Sequence, residues 1–266
     1  MSEPGGVPDG ESCGLAEGTL ISHLLELRDR LLKAIVAVGI CFIPCAIYMN
    51  QLFTFIAQPL IRKLPAGASL IATSVVSPFM VPFKLAFVVA FVLAIPVVLY
   101  QAWAFVAPGL YRHEKKLAVP LLVSSVLLFY IGAAFAYFLV FPVMLGFFVG
   151  TTPTGVQMMT DMGAYLDFVM ILLLAFGLAF EVPIATVLLV WTGFVKIGTL
   201  TKNRGFVLLG IFILAAFLTP PDAVSQSFMA VPMYVLYEIG IVMARVLLKD
   251  KLAERAKEDS EREAEV

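Results

Sequence analysis

Residues 165–191 read YLDFVMILLLAFGLAFEVPIATVLLVW, a long apolar stretch with one acid, Glu181, deep inside it. The hydrocarbon core of a bilayer is about 30 Å thick and needs roughly 20 apolar helical residues, because each residue of an α-helix rises about 1.5 Å. This stretch meets that requirement. It therefore predicts a transmembrane helix and an integral membrane protein.

Five further apolar segments occur along the chain. They cover residues 34–49, 85–107, 117–150, 205–218 and 223–248. The segment 117–150 is long for one helix but too short for two helices and a turn, which predicts one tilted span followed by a loop. The segment 205–218 would form only about 21 Å of helix, which is short for a bilayer.

The composition of the whole chain agrees with a membrane protein. Hydrophobic residues make up 61% of it, and the mean hydropathy is +0.98. A soluble globular domain, at about 45–50% apolar, is therefore excluded. The net charge of -1 gives no argument for binding to nucleic acid.

Basic residues are unequally divided between the two sides that six spans would create. One side holds 15 of them, whereas the other holds three, Arg62, Lys63 and Lys84. Because Lys and Arg in short loops mark the cytoplasmic face, both termini are predicted to be cytoplasmic, which requires an even number of spans. The acidic N-terminal region has no short apolar segment typical of a cleaved signal peptide.

Prolines and the first external loop predict the shape of the bundle. Prolines within or beside the spans predict kinked helices and a concave bundle. Residues 51–83 are too polar and too rich in proline to cross the bilayer, and they predict an outer-face cap of short interfacial helices. The predicted fold class is all-α: a polytopic membrane protein with six transmembrane helices.

Two carboxylates, Glu26 and Glu114, are predicted on the cytoplasmic face, each close to the end of a span. Together they could hold two guanidinium groups, since the planar fork of arginine makes paired bonds to a carboxylate. A simpler interpretation pairs Glu26 with Arg30, and Asp29 with Lys33, as i,i+4 ion pairs on one helix. Glu114 could likewise pair with a neighbouring base.

Glu181 is a costly residue at the middle of the fourth predicted span. A charged group there costs about 2.5 to 3.5 kcal/mol on insertion scales, so a compensating partner is expected. Gly177, one turn earlier, would let another helix approach closely, and Pro183 frees the carbonyl of Ala179. Three interpretations remain open: a protonated Glu satisfied within its own bundle, a polar site for a partner helix, and a proton relay.

The sequence contains neither a phosphate-binding G-x-x-x-x-G-K-[ST] motif nor a zinc-binding H-E-x-x-H motif. The spans offer no nucleophile and base for an intramembrane hydrolase. Cys13, Cys41 and Cys45 predict no disulfide and no metal site. We therefore predict no enzyme, no catalytic residue, no cofactor and no metal. A competing function is a proton-coupled secondary transporter for small molecules, with Glu181 as its proton site.

Five motifs follow one another along the chain. They are SHLLELRDRLL (22–32), APGLYRHEKK (107–116), FGLAFEVP (176–183), LTPPD (218–222) and SQSFMAVPMYVLYEIG (225–240). Together they resemble the TatC family, the six-span core of the twin-arginine protein translocase, over roughly residues 20–248. The resemblance implies a signal-peptide receptor and assembly core that exports folded proteins across the bacterial cytoplasmic (inner) membrane with the proton gradient.

The resemblance also implies roles for particular residues. Glu26 and Glu114 would hold the two arginines of the signal peptide, with Arg28, Phe105 and Leu110 shaping or supporting that site.

A second implied site would receive the single helices of TatA- and TatB-type partners at Glu181, Thr219 and Gln226, and Pro59 would belong to the outer cap. The other implied partners are membrane lipid and further copies of the chain in a homo-oligomer, without nucleic acid. Residues 1–19 and 249–266 would be cytoplasmic tails on either side of a membrane domain spanning 20–248.

Overall fold

The computed structural model describes residues 11–63, 69–106, 115–153, 156, 159–219 and 222–249. This part of the chain is mostly helical. Its α-helices are α1 (Glu11–Ile47), α2 (Met49–Lys63), α3 (Ser77–Val106), α4 (Lys115–Phe135), α5 (Phe141–Gly150), α6 (Met162–Ala179), α7 (Val182–Trp191), α8 (Ile197–Lys202), α9 (Arg204–Leu218) and α10 (Ala223–Leu247). Two short strands, β1 (Leu70–Ile71) and β2 (Thr160–Asp161), pair in parallel.

Five helical stretches of the described chain are long and apolar enough to cross a membrane. They are Leu24–Ile47, Ser77–Phe105, Val119–Gly150, Met162–Trp191 and Ala223–Leu247, which we call spans one, two, three, four and six in the order of the six predicted segments. The fifth predicted segment forms α9, which has 15 residues and is shorter than the others.

The second span begins at Ser77 rather than near residue 85, where the sequence placed it. The charge that bounded the prediction, Lys84, lies inside the helix. Its amine is 3.0 Å from Oδ1 of Asp167 on α6. Lysine is a good helix former and does not end the helix, and the carboxylate of Asp167 offsets its charge.

The prediction of a loop at the end of residues 117–150 is wrong, since the chain stays helical as far as Gly150. The extra length is accommodated by a π-helical turn, Ala136–Val140, between α4 and α5. Its last bond runs from the N–H of Phe141 to the carbonyl of Ala136. A π-turn keeps backbone groups paired within the segment, which a membrane requires and a loop does not provide.

Spans three and four approach each other closely at two glycines, Gly132 and Gly177. An added Cβ at Gly132 would lie 2.6 Å from the carbonyl oxygen of Phe176, and one at Gly177 would lie 2.7 Å from the ring of Phe129. Both phenylalanines are fully buried. The prediction that Gly177 admits a neighbouring helix is therefore confirmed, and the neighbour is the chain's own third span.

The paired strands tie the segment before α3 to the segment before α6. Leu70 pairs with Thr160, and Ile71 with Asp161. Oδ2 of Asp161 accepts bonds from the hydroxyl of Thr73 at 2.6 Å and from its backbone N–H at 3.2 Å. We call β1, β2 and Thr73 the β-clasp. No sequence signal predicted it, because strands of two residues have no readable periodicity.

Span one is attached to the rest of the bundle mainly through α3. Phe42 contacts the ring of Phe83 edge to face, with ring centroids 5.3 Å apart. Cys45 is buried with Ala86 and Ala90, as expected of a small packing residue. Most other side chains of this span are exposed, and in a membrane they would face lipid.

Candidate functional site

Glu26 lies on α1, two residues after the start of span one. Its Oε1 accepts a bond of 3.0 Å from Nε of Arg30 and a second bond from the same guanidinium. The simpler sequence interpretation of this residue, an i,i+4 pair, is thus confirmed. The pair is half-buried, and both bonds from Arg30 go to Oε1, which leaves Oε2 for a further donor.

Arg28 contacts Asp29, the acid for which the i,i+4 spacing indicated Lys33 as the partner. Its guanidinium binds the carboxylate of the adjacent Asp29 at 2.8 Å, so Asp29 pairs with Arg28 and not with Lys33 as predicted. Both side chains are more than half exposed. The pair holds an arginine and an acid at the surface of the helix, one turn or less from Glu26.

Phe105 lies at the end of α3 and is half-buried. Glu114 and Leu110, the other two residues predicted for this site, lie outside the described residues. The described part of the chain therefore contains one of the two predicted carboxylates, Glu26, together with Arg28 and Phe105.

Glu181 lies at a break in span four, where α6 has ended and α7 has not begun. The break follows from Pro183, which lacks the N–H that would bond the carbonyl of Ala179. The carbonyl of Glu181 itself accepts from the N–H of Ala185 at 2.8 Å and starts the next helix. A kink was predicted from the proline, and the structure shows that it brings the acid to the turn.

The carboxyl group of Glu181 has a partner inside the bundle. Its Oε2 accepts a short hydrogen bond from the hydroxyl of Ser125 on α4. That hydroxyl in turn accepts a bond of 3.4 Å from Nε1 of Trp103 on α3. The other carboxyl oxygen, Oε1, is buried and has no hydrogen-bond partner among the described residues. Glu181 is thus only half satisfied within its own bundle.

Sequence reasoning missed Ser125 and Trp103. Ser125 is 1% exposed in an otherwise apolar helix, and such a buried hydroxyl needs a partner. That requirement was a usable signal. It could not identify Glu181 as the partner, because the two residues are 56 positions apart.

An apolar groove of about 520 Å³ lies beside the break in span four. Ala179 and Val182, on either side of the turn, both line it. The remaining lining comes from α6, α9 and α10: Ile171, Leu174, Ala175, Leu178, Val207, Ile211, Leu214, Leu218, Met233 and Tyr237. The short helix α9 therefore forms one wall of an open, apolar concavity.

Neither Thr219 nor Gln226 lines this groove, although Thr219 directly follows the lining residue Leu218 in the sequence. The hydroxyl of Thr219 is buried and donates to the carbonyl of Ala215 at 2.8 Å. Gln226 is half-buried in the first turn of α10, where its N–H donates to the carbonyl of Asp222 at 3.1 Å. Thr219 thus stabilises the end of α9, and the predicted polar patch is separate from the apolar groove.

Glu238 is held between α9 and α10. Its Oε2 is 2.8 Å from the guanidinium of Arg204, and its Oε1 accepts from the hydroxyl of Tyr234 at 3.0 Å. Both carboxyl oxygens of Glu238 have hydrogen-bond partners, whereas in Glu181 only Oε2 has one among the described residues. The contact with Arg204 links the start of α9 to α10.

Pro59, predicted for the outer cap, lies within α2 and is half-buried. This helix packs against α3 and α5. Residues Tyr137 and Tyr165 donate their hydroxyls to the carbonyls of Phe55 and Ile56, each at 3.0 Å. The helix is therefore fixed to the bundle at one end of the spans.

Residues 22–232 match the sequence model of the family described as "Sec-independent protein translocase protein (TatC)". The chain belongs to the TatC family. It is 54% identical over 222 residues to the Sec-independent protein translocase protein TatC of Azotobacter chroococcum mcd 1, covering 84% of this chain and 87% of the relative. It is 51% identical over 226 residues to the TatC protein of Escherichia coli strain K12, covering 85% and 88%.

Two solved structures of the TatC family share the fold. A crystal structure of the twin-arginine translocase receptor TatC superposes with a TM-score of 0.76 at 36% identity, over 84% of this chain and 98% of the other. A second, in the detergent DDM, gives 0.78 at 37% identity, over 84% and 99%. These likenesses confirm the family that the five motifs indicated. The names of these relatives describe transport and not catalysis.

Proposed function

We propose that this chain is the signal-peptide receptor and assembly core of a twin-arginine translocase, which exports folded proteins with the proton gradient. The observation that carries the proposal is its match to a translocase receptor over most of both chains. The apolar helices of the described chain agree with a multi-pass membrane protein. The proposed location is the bacterial cytoplasmic membrane.

The proposed topology has six spans, with α9 as the fifth, and both termini in the cytoplasm. The excess of basic residues on one side supports this orientation. With the termini inside, α2 and the β-clasp lie on the outer face as a cap. The membrane domain is 20–248, and residues 1–19 and 249–266 are tails.

The proposed receptor site is built on Glu26, with Glu114 as the second carboxylate and Arg28, Phe105 and Leu110 around them. Arg30 already forms two bonds with Glu26, so the carboxylate is oriented for a guanidinium group before any peptide arrives. An arginine of the signal peptide would bind the other oxygen, Oε2, beside Arg30. Charge-assisted bonds of this type contribute roughly 1.5–3 kcal/mol each.

The proposed partner site is the groove between spans four, five and six, with the polar residues Glu181, Thr219 and Gln226 near it. A single apolar helix from a TatA- or TatB-type subunit fits the chemistry of its lining. The described part of the chain leaves this surface open. Further copies of the chain would be present in the same translocase complex as a homo-oligomer.

Glu26→Gln is expected to reduce photo-cross-linking of a twin-arginine peptide to the chain by about tenfold or more, because the neutral amide loses a charge-assisted bond. A peptide with two lysines should bind as weakly to the unmodified chain, since lysine cannot make the paired bonds. The measurement uses the full chain in membrane vesicles.

The matched control is Asp29→Asn, which removes an exposed acid three residues away that pairs with Arg28. It should leave cross-linking within about twofold of the unmodified chain, because exposed ion pairs contribute little. Equal loss in both variants would indicate a general charge effect. Full cross-linking in Glu26→Gln would overturn the receptor site.

A further inference from the structure

Three polar side chains from three successive spans form one continuous chain of hydrogen bonds. Nε1 of Trp103 donates to the hydroxyl of Ser125 at 3.4 Å, and the hydroxyl of Ser125 donates to Oε2 of Glu181. Ser125 is almost fully buried at the centre of this arrangement. Spans two, three and four are therefore linked by polar contacts in an otherwise apolar region.

The direction of these bonds follows from the chemistry of the groups. An indole N–H can only donate, whereas a serine hydroxyl has one proton to donate and lone pairs to accept. With Trp103 donating to it, Ser125 has its proton free for the carboxyl group of Glu181. Trp103 thus helps to orient the hydroxyl, and the hydroxyl helps to orient the carboxyl.

Ser124 shows what a serine in this helix does without such partners. Its hydroxyl donates to the carbonyl of Pro120, one turn earlier, at 2.8 Å. This local bond is the ordinary choice for serine in an apolar helix. Ser125 instead donates to Glu181, and the two neighbours form a natural comparison between local and long-range bonding.

We propose that Ser125 is a positioning residue for Glu181, oriented in turn by Trp103. The bond to Oε2 fixes the carboxyl and leaves Oε1 as the atom without a partner in the described chain. Ala179 and Val182 on either side line the groove, although Glu181 itself does not. A helix entering the groove would therefore pack beside this turn, and its polar side chain would reach the buried Oε1 through a shift of the Glu181 side chain. The ligand class is a hydrogen-bonding side chain on an apolar helix. This inference rests on the proposed function of the groove.

Ser125→Ala is expected to lower cross-linking of the single-span partner helix by about fivefold, a loss that the net strength of one hydrogen bond allows. Glu181→Leu, which removes the carboxyl and keeps a similar volume, should lower it by at least as much. The double variant should be no worse than Glu181→Leu, because the serine acts through the carboxyl. Ser125→Thr keeps the hydroxyl and should restore cross-linking.

Two further measurements separate positioning from a loss of packing. The infrared band of the Glu181 carboxyl, identified by its absence in Glu181→Leu, should shift in Ser125→Ala and in Trp103→Phe. It should not shift in Ser124→Ala, the control that removes only the local bond. The experiment uses the full chain with its translocase subunits in membrane vesicles, with the amount of inserted chain measured for each variant.

Cross-linking in Ser125→Ala equal to that in Ser124→Ala would overturn the inference, as would losses that multiply in the double variant. Binding of a twin-arginine peptide distinguishes this failure from failure of the proposed function. If the unmodified chain binds peptide and partner while Ser125→Ala behaves normally, only the positioning role is wrong. If the unmodified chain binds neither, the proposed function is wrong.

Discussion

Spans three and four differ from α9 in how completely their side chains are covered. Phe129 and Phe176 are fully buried at the contact between the two spans, and Gly132 lies directly against the backbone. Along α9, all of whose residues are described, Ala215 alone is buried, and Phe217 is 84% exposed. The chain's own residues cover the contact between spans three and four. The helix α9 leaves apolar surface that another helix could cover.

The same contrast appears at the ends of the helices. Span four begins at Asp161, whose Oδ1 caps the N–H groups of Gly163 and Ala164, each at 2.9 Å, while Oδ2 holds Thr73. At the start of α9, no side chain caps the helix. A span with a side-chain cap thus lies beside a helix without one, and a helix with fewer buried contacts is expected to open more readily.

The largest effect on stability is expected from Gly132→Ala at the contact between spans three and four, which we call the tight region. The new Cβ would lie 2.6 Å from the carbonyl oxygen of Phe176, which is backbone and cannot move freely. Overpacking of this kind costs about 2 kcal/mol. The free energy of unfolding in detergent, from denaturant titration, measures it.

Gly210→Ala is the matched control on α9, where an added Cβ meets nothing within 4 Å. It should raise the free energy of unfolding, by up to about 1 kcal/mol, because alanine is the better helix former and nothing obstructs its Cβ. Equal destabilisation by both alanines would show that α9 is packed as tightly as spans three and four in solution. The comparison between the two regions would then be wrong.

The tight region was partly readable from the sequence, because Gly177 and Pro183 have direct steric consequences. The sequence therefore predicted a close approach and a break near Glu181. It did not identify Phe129 or Ser125 as the partners, since contacts between helices depend on rotation and register that apolar periodicity does not determine. The sequence predicts a tilted span followed by a loop in residues 117–150, and not one continuous helix, because periodicity does not reveal a π-turn.

The groove was less readable than the tight region. A short fifth segment was evident from its length, but uniformly apolar residues do not indicate which of them face a cavity. The predicted polar residues Thr219 and Gln226 lie outside its lining, and Leu214 was not singled out. Polarity drew attention to the ends of helices, whereas the groove itself is apolar.

An intermediate effect on stability is expected from Asp161→Asn, which should release the β-clasp. The amide keeps an oxygen for the helix cap but loses the second acceptor that holds Thr73. The melting temperature in detergent at neutral pH should fall, by less than in Gly132→Ala. Asp167→Asn, which breaks the exposed pair with Lys84, is the control and should change little.

The effect of Asp161→Asn should also depend on pH. The hydrogen bond from the Thr73 hydroxyl, followed by that from the N–H of Ala164, holds the pKa of Asp161 below its usual range. A lowered pKa contributes stability that is complete above the ordinary value of about 3.9 and is lost as the pH falls through the lowered one. The difference in melting temperature between the unmodified chain and the variant should therefore shrink in acid. A constant difference would exclude the carboxylate as its cause.

The smallest effect on stability is expected from Leu214→Trp on α9, although its effect on assembly should be large. Leu214 lines the groove and is 48% exposed, whereas Ile213, its neighbour, is 51% exposed and does not line it. An indole at either position meets little of the chain's own structure, so the free energy of unfolding should change by less than about 0.5 kcal/mol. The two tryptophans differ in whether they fill the groove.

Co-purification of the single-span partner should fall about tenfold for Leu214→Trp, a change of about 1.4 kcal/mol, and should be unchanged for Ile213→Trp. If both variants lost the partner equally, the partner would cover α9 as a whole, and the groove would not be the feature it recognises.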